Sequence, residues 1–180
     1  MGVIPAAIEL RPASAADVAA LREFVTGISP SDRTFLDEQL LDPDRVVAWA
    51  SDPGAVGMVA VAGDRIAGLA SIRPGTGWSS HVGVLRVVVG DADRRRGIGR
   101  SLLQAVLPAA AERGVAKLAV EVMAARAWTG RVFERLGFSP EATMRDHVRD
   151  GRGRYQDLLV LTLWIDQRGD PVVGADDVAG

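Results

Sequence analysis

The stretch that decides the fold is "LRVVVGDADRRRGIGRSLL", residues 85–103. A valine-rich run typical of a buried strand is followed by three arginines and then by a Gly-Ile-Gly tripeptide that opens a leucine-rich helical pattern, at residues 94–96 and 97–99. The amino-terminal end of a helix carries positive partial charge, so each cation placed there is disfavoured by about 0.3–1 kcal/mol. Three consecutive arginines at that end therefore predict an anion among them.

Composition and charge limit the class of protein. The 180 residues are 48% apolar and 24% charged, which is typical of one soluble globular domain, predicted over residues 1–165 with a mobile tail over residues 166–180. A net charge of −2 argues against a nucleic-acid or membrane-surface binder, so any anion site must be local. No apolar run reaches the roughly 18 residues of a membrane span, and no signal pattern is present, which predicts a cytoplasmic protein.

Cysteine and histidine usage excludes several kinds of chemistry. The chain has no cysteine, which removes disulfides, thiolate–metal sites and cysteine nucleophiles. Its two histidines, His81 and His147, are far apart in the sequence, so we expect no metal site.

The hydrophobic period predicts alternating strands and helices. A cap at Ser14 and Asp17 precedes a first helix, and a Gly63-Asp64 turn joins two strands as a hairpin. Strands are predicted over residues 7–11, 55–62, 65–72, 81–89, 117–123, 143–148 and 155–163, and further helices over residues 99–113 and 127–136. This order indicates an α/β or α+β fold with a mixed sheet.

Three classes of protein place glycines and backbone amides at a strand-to-helix turn to hold phosphate. A P-loop would require Gly-Lys-Ser/Thr, but Gly99 is followed by Arg100. A dinucleotide fingerprint would require a third glycine at position 102, which is leucine. The third pattern, Arg/Gln-x-x-Gly-x-Gly/Ala after a valine-rich strand, is met at residues 94–99.

This third pattern resembles the GCN5-related N-acetyltransferase (GNAT) superfamily. "VEVMAARAWTGRVFERLGF", residues 120–138, is similar to the next strand and helix of that family, with its Leu-Gly-Phe ending. The resemblance covers nearly the whole chain. It implies an α/β (α+β) fold with a mixed, mostly antiparallel sheet of about seven strands and helices on both faces.

The resemblance also implies acetyl-CoA as co-substrate, without a metal. Its pyrophosphate would lie on the amides of residues 95–100, and the central strand would supply an oxyanion donor and pair with the pantetheine arm. The residues that the resemblance assigns to the co-substrate are Val87, Val88, Val89, Arg94, Arg95, Arg96, Gly97, Ile98, Gly99, Arg100 and Phe133.

The acid and base positions depart from the family pattern. Phe133 stands where many relatives have a tyrosine acid, and Val84 stands where many have a glutamate base. His81, near the start of the central strand, is the first candidate for the base because histidine titrates near working pH. Glu121, on the neighbouring strand, is the second and would act through water.

The acceptor is expected to be a primary amine, on a small molecule, a protein lysine or a protein N-terminus. Trp78, Arg126 and His147 are the predicted substrate-binding residues, and acidic residues between positions 32 and 44 would suit a cationic amine. The family also allows a homodimer. Two alternatives remain open at this point: a non-catalytic acyl-CoA binding module, and a nucleotide-binding protein of another fold.

Overall fold

The computed structural model describes residues 7–29, 42–50 and 56–172, without the side chains of Val47, Ala50 and residues 126–128. Seven strands, β1 to β7, span Ile8–Pro12, Val56–Ala62, Arg65–Pro74, Val82–Val89, Lys117–Met123, Ser139–Arg149 and Tyr155–Trp164. Four helices of the described ranges, α1 to α4, span Val18–Thr26, Pro43–Ala50, Ile98–Ala111 and Ala127–Glu134.

The strands form one sheet in the order β1-β2-β3-β4-β5-β7-β6. The pairs β1–β2, β5–β7 and β6–β7 are antiparallel, whereas β4 and β5 are parallel. The predicted mixed, mostly antiparallel sheet of seven strands is confirmed.

The first compact unit consists of Met1–Ser71 and Val87–Val106. In its core, Leu21 and Val25 of α1 belong to one buried cluster with residues of β2, β3 and β4. The predicted cap precedes α1: the amide and hydroxyl of Ser14 donate to the Asp17 carboxylate at 2.8 and 3.0 Å. Hydrogen bonds from Arg11 of β1, at 2.5 and 2.8 Å, are the largest cause that lowers the pKa of Asp17 to about 2.

The second compact unit consists of Ile72–Arg86 and Leu107–Gly180. Along β5 the side chains alternate, so Leu118, Val120 and Val122 are buried while Glu121 is exposed. Strand β6 begins four residues earlier than the sequence predicts, at Ser139 rather than residue 143. It is the last strand in the sheet order and its pairing with β7 has two register shifts, and such an edge tolerates Pro140 and bulges.

Residues 166–172, the first part of the tail predicted over residues 166–180, are described in the structure and form a turn. The Asp166 carboxylate accepts the amides of Arg168 and Asp170 at 2.8 and 2.9 Å, and the amide of Val172 donates to the carbonyl of Trp164 at 2.9 Å. An aspartate that bonds amides two or more residues ahead closes a turn, so residues 166–172 have a defined conformation. Residues 173–180 lie outside the described residues.

Candidate functional site

The loop between β4 and α3 is shaped to present backbone amides. It begins with a 3₁₀ turn over Asp91–Asp93 and contains two residues with positive φ, Arg95 at 61° and Gly97 at 79°. The first helical bond runs from the amide of Ser101 to the carbonyl of Gly97, at 3.0 Å. The amides of residues 98–100 therefore have no partner inside the helix, as in any first helical turn. Left-handed residues next to such amides form a concave nest that suits an anion.

The arginine run itself is largely neutralised by the chain. Arg94 pairs with Asp91 at 2.7 Å, and Arg96 pairs with Asp93 at 2.7 Å. The anion that the sequence argument requires among these arginines is thus supplied, for two of them, by the aspartates just before them. An external anion would therefore be held by the amides and by the remaining cations of the loop.

Arg95 and Arg100 are those remaining cations. Both side chains are exposed, and within the described ranges neither has an ion-pair partner. Arg95 is itself the first of the two left-handed residues of the nest, and Arg100 lies in the first turn of α3. Two unpaired guanidinium groups and a set of unpaired amides can hold a dianion such as a pyrophosphate.

Asp93 is a residue of this site that the sequence analysis missed. Its side chain is 2% exposed and accepts a forked pair of bonds from Arg65, the first residue of β3, at 2.5 and 3.0 Å. Those bonds are the largest cause of its lowered pKa, with the bond from Arg96 adding to them. The spacing of Asp93 and Arg96 was visible in the sequence, but nothing there pointed to Arg65, 28 positions before Asp93.

The alternation of buried side chains along β4 is interrupted partway along the strand. At its start, Val82 to Val84 pair in parallel with Lys117 to Ala119 of β5. Further along, Leu85 and Val88 are both buried although they are three residues apart, so the alternation shifts phase between them. This shift places a local irregularity in β4 beside the predicted co-substrate residues 87–89.

His81, the first candidate for the base, lies beside Trp164 and Lys117. Its ring stacks on the Trp164 ring with centroids 6.4 Å apart, and Lys117 Nζ lies 5.4 Å from the same ring. Its carbonyl accepts the amides of Ala116 and Lys117 at 2.8 and 3.0 Å. Lys117 in turn pairs with Glu141 at 2.6 Å. His81 therefore belongs to an aromatic and ionic cluster at the start of β4 and β5.

Glu121, the second candidate, lies two residues beyond the last β4–β5 pair. Its side chain is exposed, and its backbone pairs with Val160 of β7. Four residues of strand, about 13 Å, separate it from Lys117 in the His81 cluster. The structure does not bring the two candidates for the base together.

The remaining predicted residues have varied surroundings. Phe133 is buried and packs edge-to-face on Phe138, with centroids 5.4 Å apart. Trp78 is 99% exposed, His147 is exposed on β6, and the side chain of Arg126 is not described. A groove of about 430 Å³ lies between α4 and the β6–β7 pair, but none of the predicted site residues lines it.

The acidic residues that were predicted to suit a cationic amine are described only in part, and the described ones pair with arginines. Asp42 pairs with Arg45 at 3.4 Å, Asp44 pairs with Arg22, and the acidic residues between positions 32 and 38 lie outside the described residues. Within the described ranges no cluster of three or more His, Cys, Asp or Glu could hold a metal ion. No helix there has the length and apolar character needed to cross a membrane.

Known proteins resemble this chain in sequence. The profile of the acetyltransferase (GNAT) family matches residues 21–138. The [ribosomal protein bS18]-alanine N-acetyltransferase of Escherichia coli (strain K12) is 34% identical over 70 residues, 39% of this chain. The matched stretch covers 47% of that relative, so the chain spans about half the length of the curated relatives it matches.

Solved structures share the fold over almost their whole length. The protein yncA from Salmonella typhimurium, solved with its cofactor acetyl-CoA, has a TM-score of 0.74 and 24% identity over 93% of this chain and 99% of that chain. A ribosomal-protein-alanine N-acetyltransferase from Brucella melitensis has a TM-score of 0.73 and 26% identity, over 87% of this chain and 99% of that chain. Because the family profile matches well over half of its residues, this chain belongs to the acetyltransferase (GNAT) family.

Proposed function

We propose that the chain transfers an acetyl group from acetyl-CoA to a primary amine by direct attack of the amine on the thioester. The observation that carries this proposal is the nest before α3, with its unpaired amides at residues 98–100 and the unpaired cations Arg95 and Arg100. Amides and cations of this kind fit a pyrophosphate. Gly99 is consistent with a ligand that approaches the backbone closely. A Cβ added there would meet protein atoms no nearer than 3.6 Å, so packing within the protein alone does not require glycine at this position.

The backbone of β4 is the proposed site of the thioester arm. Its pairing with β5 covers Val82 to Val84, ahead of these residues, and its backbone groups at residues 87–89 are proposed to bond the pantetheine amides and the thioester oxygen. The bound co-substrate supplies an activated acetyl carbonyl. A main-chain amide fixed beside that oxygen stabilises the charge that develops on it as the amine attacks.

Glu121 is the proposed base, in preference to His81. It is exposed and lies just past the end of the β4–β5 pairing, whereas His81 lies three residues before Val84, about 10 Å of strand away, with its ring against Trp164. A carboxylate can take the proton of the amine directly or through one water. Phe133 cannot donate a proton, but a thiol titrates near 8.5, so its thiolate leaves without a strong acid.

The α-amino group of a protein or peptide is the acceptor class that these residues suit best. Such a group titrates near 7.7–8.0, against about 10.4 for lysine, so much of it is already neutral at working pH. For such an acceptor, the exposed carboxylate of Glu121 is a sufficient base and the reaction needs no acid at the position of Phe133. Two of the similar proteins act on the alanine of a ribosomal protein, which makes a peptide beginning with alanine the first acceptor to examine.

Thiol release from acetyl-CoA tests this function. A peptide with a free N-terminal alanine is compared with the same peptide blocked at its N-terminus, a blocked peptide containing lysine, and small alkylamines. We expect turnover on the first peptide and none on its blocked form. Turnover on the lysine peptide alone would overturn the acceptor class, and no binding of acetyl-CoA would overturn the function.

Variants at the two candidate bases identify which residue takes the proton. Glu121→Gln is expected to lower kcat/KM by about 100-fold or more, the usual worth of a positioned base. Glu112→Gln, an exposed glutamate just after α3, is the matched control and should leave kcat/KM unchanged. A full loss in His81→Ala with an unchanged Glu121→Gln would transfer the role to His81.

A further inference from the structure

The Asp93 carboxylate is buried within a loop whose neighbouring side chains are exposed. Its side chain is 2% exposed, while Asp91, two residues earlier on the same loop, is 52% exposed. A carboxylate removed from water is costly unless charged partners and hydrogen bonds satisfy its oxygens. The chain therefore maintains this carboxylate through a specific arrangement of partners.

Side-chain and main-chain hydrogen bonds connect the loop to β3. Arg65 of β3 donates to both oxygens of the Asp93 carboxylate, at 2.5 and 3.0 Å, and Arg96 of the loop donates to it at 2.7 Å. On the main chain, the amide of Gly90 donates to the carbonyl of Ala67 in β3 at 2.9 Å, and the amide of Asp93 donates to the carbonyl of Gly90 at 2.9 Å. The described side-chain bonds to the carboxylate all come from arginines, so it takes none of the nest amides at residues 95–100.

We propose that Asp93 is a positioning residue of the acyl-donor site. Through Arg65 it anchors the loop to β3, and through Arg96 it fixes the backbone between residues 93 and 97 in the conformation that presents the nest. This inference rests on the proposed function, because it assigns Asp93 a role in how the loop receives the pyrophosphate.

The positioning role and a purely electrostatic role for Asp93 predict opposite changes in the affinity for a dianion when Asp93 is removed. If Asp93 only neutralised Arg96, its removal would leave an extra cation beside the nest and would strengthen the binding of a dianion. If Asp93 holds the nest in shape, its removal lets the loop move and weakens that binding. The direction of the change therefore separates the two roles.

Asp93→Asn and Asp91→Asn form a matched pair for the experiment. Each removes one negative charge from the same loop, but the second affects only an exposed pair with Arg94. The dissociation constants for coenzyme A and for pantetheine, which lacks the pyrophosphate, are measured by calorimetry for both variants and the wild type. These measurements need no acceptor amine.

Asp93→Asn is expected to weaken coenzyme A binding about tenfold, the worth of one hydrogen bond to a charged group. Pantetheine binding should stay within about twofold, and Asp91→Asn, which frees the exposed Arg94, should bind coenzyme A at least as tightly as the wild type does. Tighter binding, unchanged binding, or an equal loss for both ligands would overturn the positioning role. Wild-type protein that does not bind coenzyme A would instead refute the proposed function itself, and the inference with it.

A second variant decides the matter if Asp93→Asn does not fold. Arg65→Gln alters a side chain that is 51% exposed and leaves the carboxylate and Arg96 in place. It should weaken coenzyme A binding in the same direction by a smaller factor, again without changing the binding of pantetheine. An Arg65→Gln protein with wild-type affinity for coenzyme A would overturn the proposal.

Discussion

Two loops of this protein are built from the same parts and use them differently. The loop before α3 has the buried carboxylate of Asp93, and the β6–β7 turn has that of Asp150, whose side chain is 0% exposed. Both loops are rich in arginine, and both contain a glycine with nearly the same positive φ, 79° at Gly97 and 78° at Gly153. Sequence composition alone does not distinguish them.

The difference lies in what each carboxylate bonds. Asp150 accepts the amides of Arg152 and Arg154, at 2.9 and 3.0 Å, and the side chain of Arg154, so the donors of the turn are used internally. Asp93 bonds arginine side chains and leaves the nest amides to another acceptor. A loop becomes an anion site when its internal carboxylate spares the amides, and it becomes a closed turn when the carboxylate takes them.

The two glycines give the sharpest way to break this comparison. Gly97→Val and Gly153→Val each force a β-branched residue into a left-handed conformation, at about 1–3 kcal/mol of strain. No atom lies within 4 Å of the added Cβ at either position, so sterics do not separate the pair. We expect both variants to melt at lower temperature, and Gly97→Val alone to lose coenzyme A affinity, by at least about tenfold.

Calorimetric titration and thermal unfolding of the same samples check this prediction. If Gly153→Val lost coenzyme A affinity as strongly as Gly97→Val, the β6–β7 turn would be part of the donor site and the contrast between the loops would fail. If the two variants melt at the same temperature and only Gly97→Val binds coenzyme A weakly, the difference in function between the two loops is supported.

The sequence predicted the sheet better than it predicted which charged side chains pair with one another. Valine-rich runs and Gly63-Asp64 determine strand positions because hydrophobic period and turn chemistry are local. Ion pairs are not local: Arg65 reaches Asp93 only because β3 and the loop meet in the folded unit. For the same reason, the sequence shows Asp91 and Asp93 close to Arg94 and Arg96 but does not show that these residues pair and so neutralise two of the three arginines.

Asp17 is a buried carboxylate outside the loop before α3, so it should contribute stability without affecting the binding of coenzyme A. Its pKa is lowered to about 2, chiefly by the hydrogen bonds from Arg11, so the folded state favours the ionised form. Its contribution is complete above the usual carboxyl pKa near 4 and is lost as the pH falls through about 2. Asp17→Asn should therefore lower the free energy of unfolding at pH 6 by about 2 kcal/mol.

Denaturant unfolding of wild type and Asp17→Asn at several pH values measures that difference. The gap should narrow below pH 4 and close near pH 2, while coenzyme A affinity at pH 7 stays unchanged. A gap that persists at pH 2 would mean that the carboxylate acts through packing and not through its charge.

The smallest expected effects are at Arg95, where two variants distinguish the contribution of the backbone conformation from that of the side-chain charge. This arginine has a φ of 61°, a conformation that costs an L-residue about 1–2 kcal/mol and glycine almost nothing. Arg95→Gly should raise the free energy of unfolding by about 1 kcal/mol, less the entropy that glycine gains in the unfolded chain. It should also weaken coenzyme A binding by about two- to fivefold, because an exposed cation contributes only about 0.2–1 kcal/mol to the binding of a phosphate.

Arg95→Ala is the matched control, since it removes the same cation but keeps the strained φ. It should show the loss of affinity without the gain in stability. If both variants bind coenzyme A as the wild type does, the amides hold the pyrophosphate without help from Arg95, the middle arginine of the run.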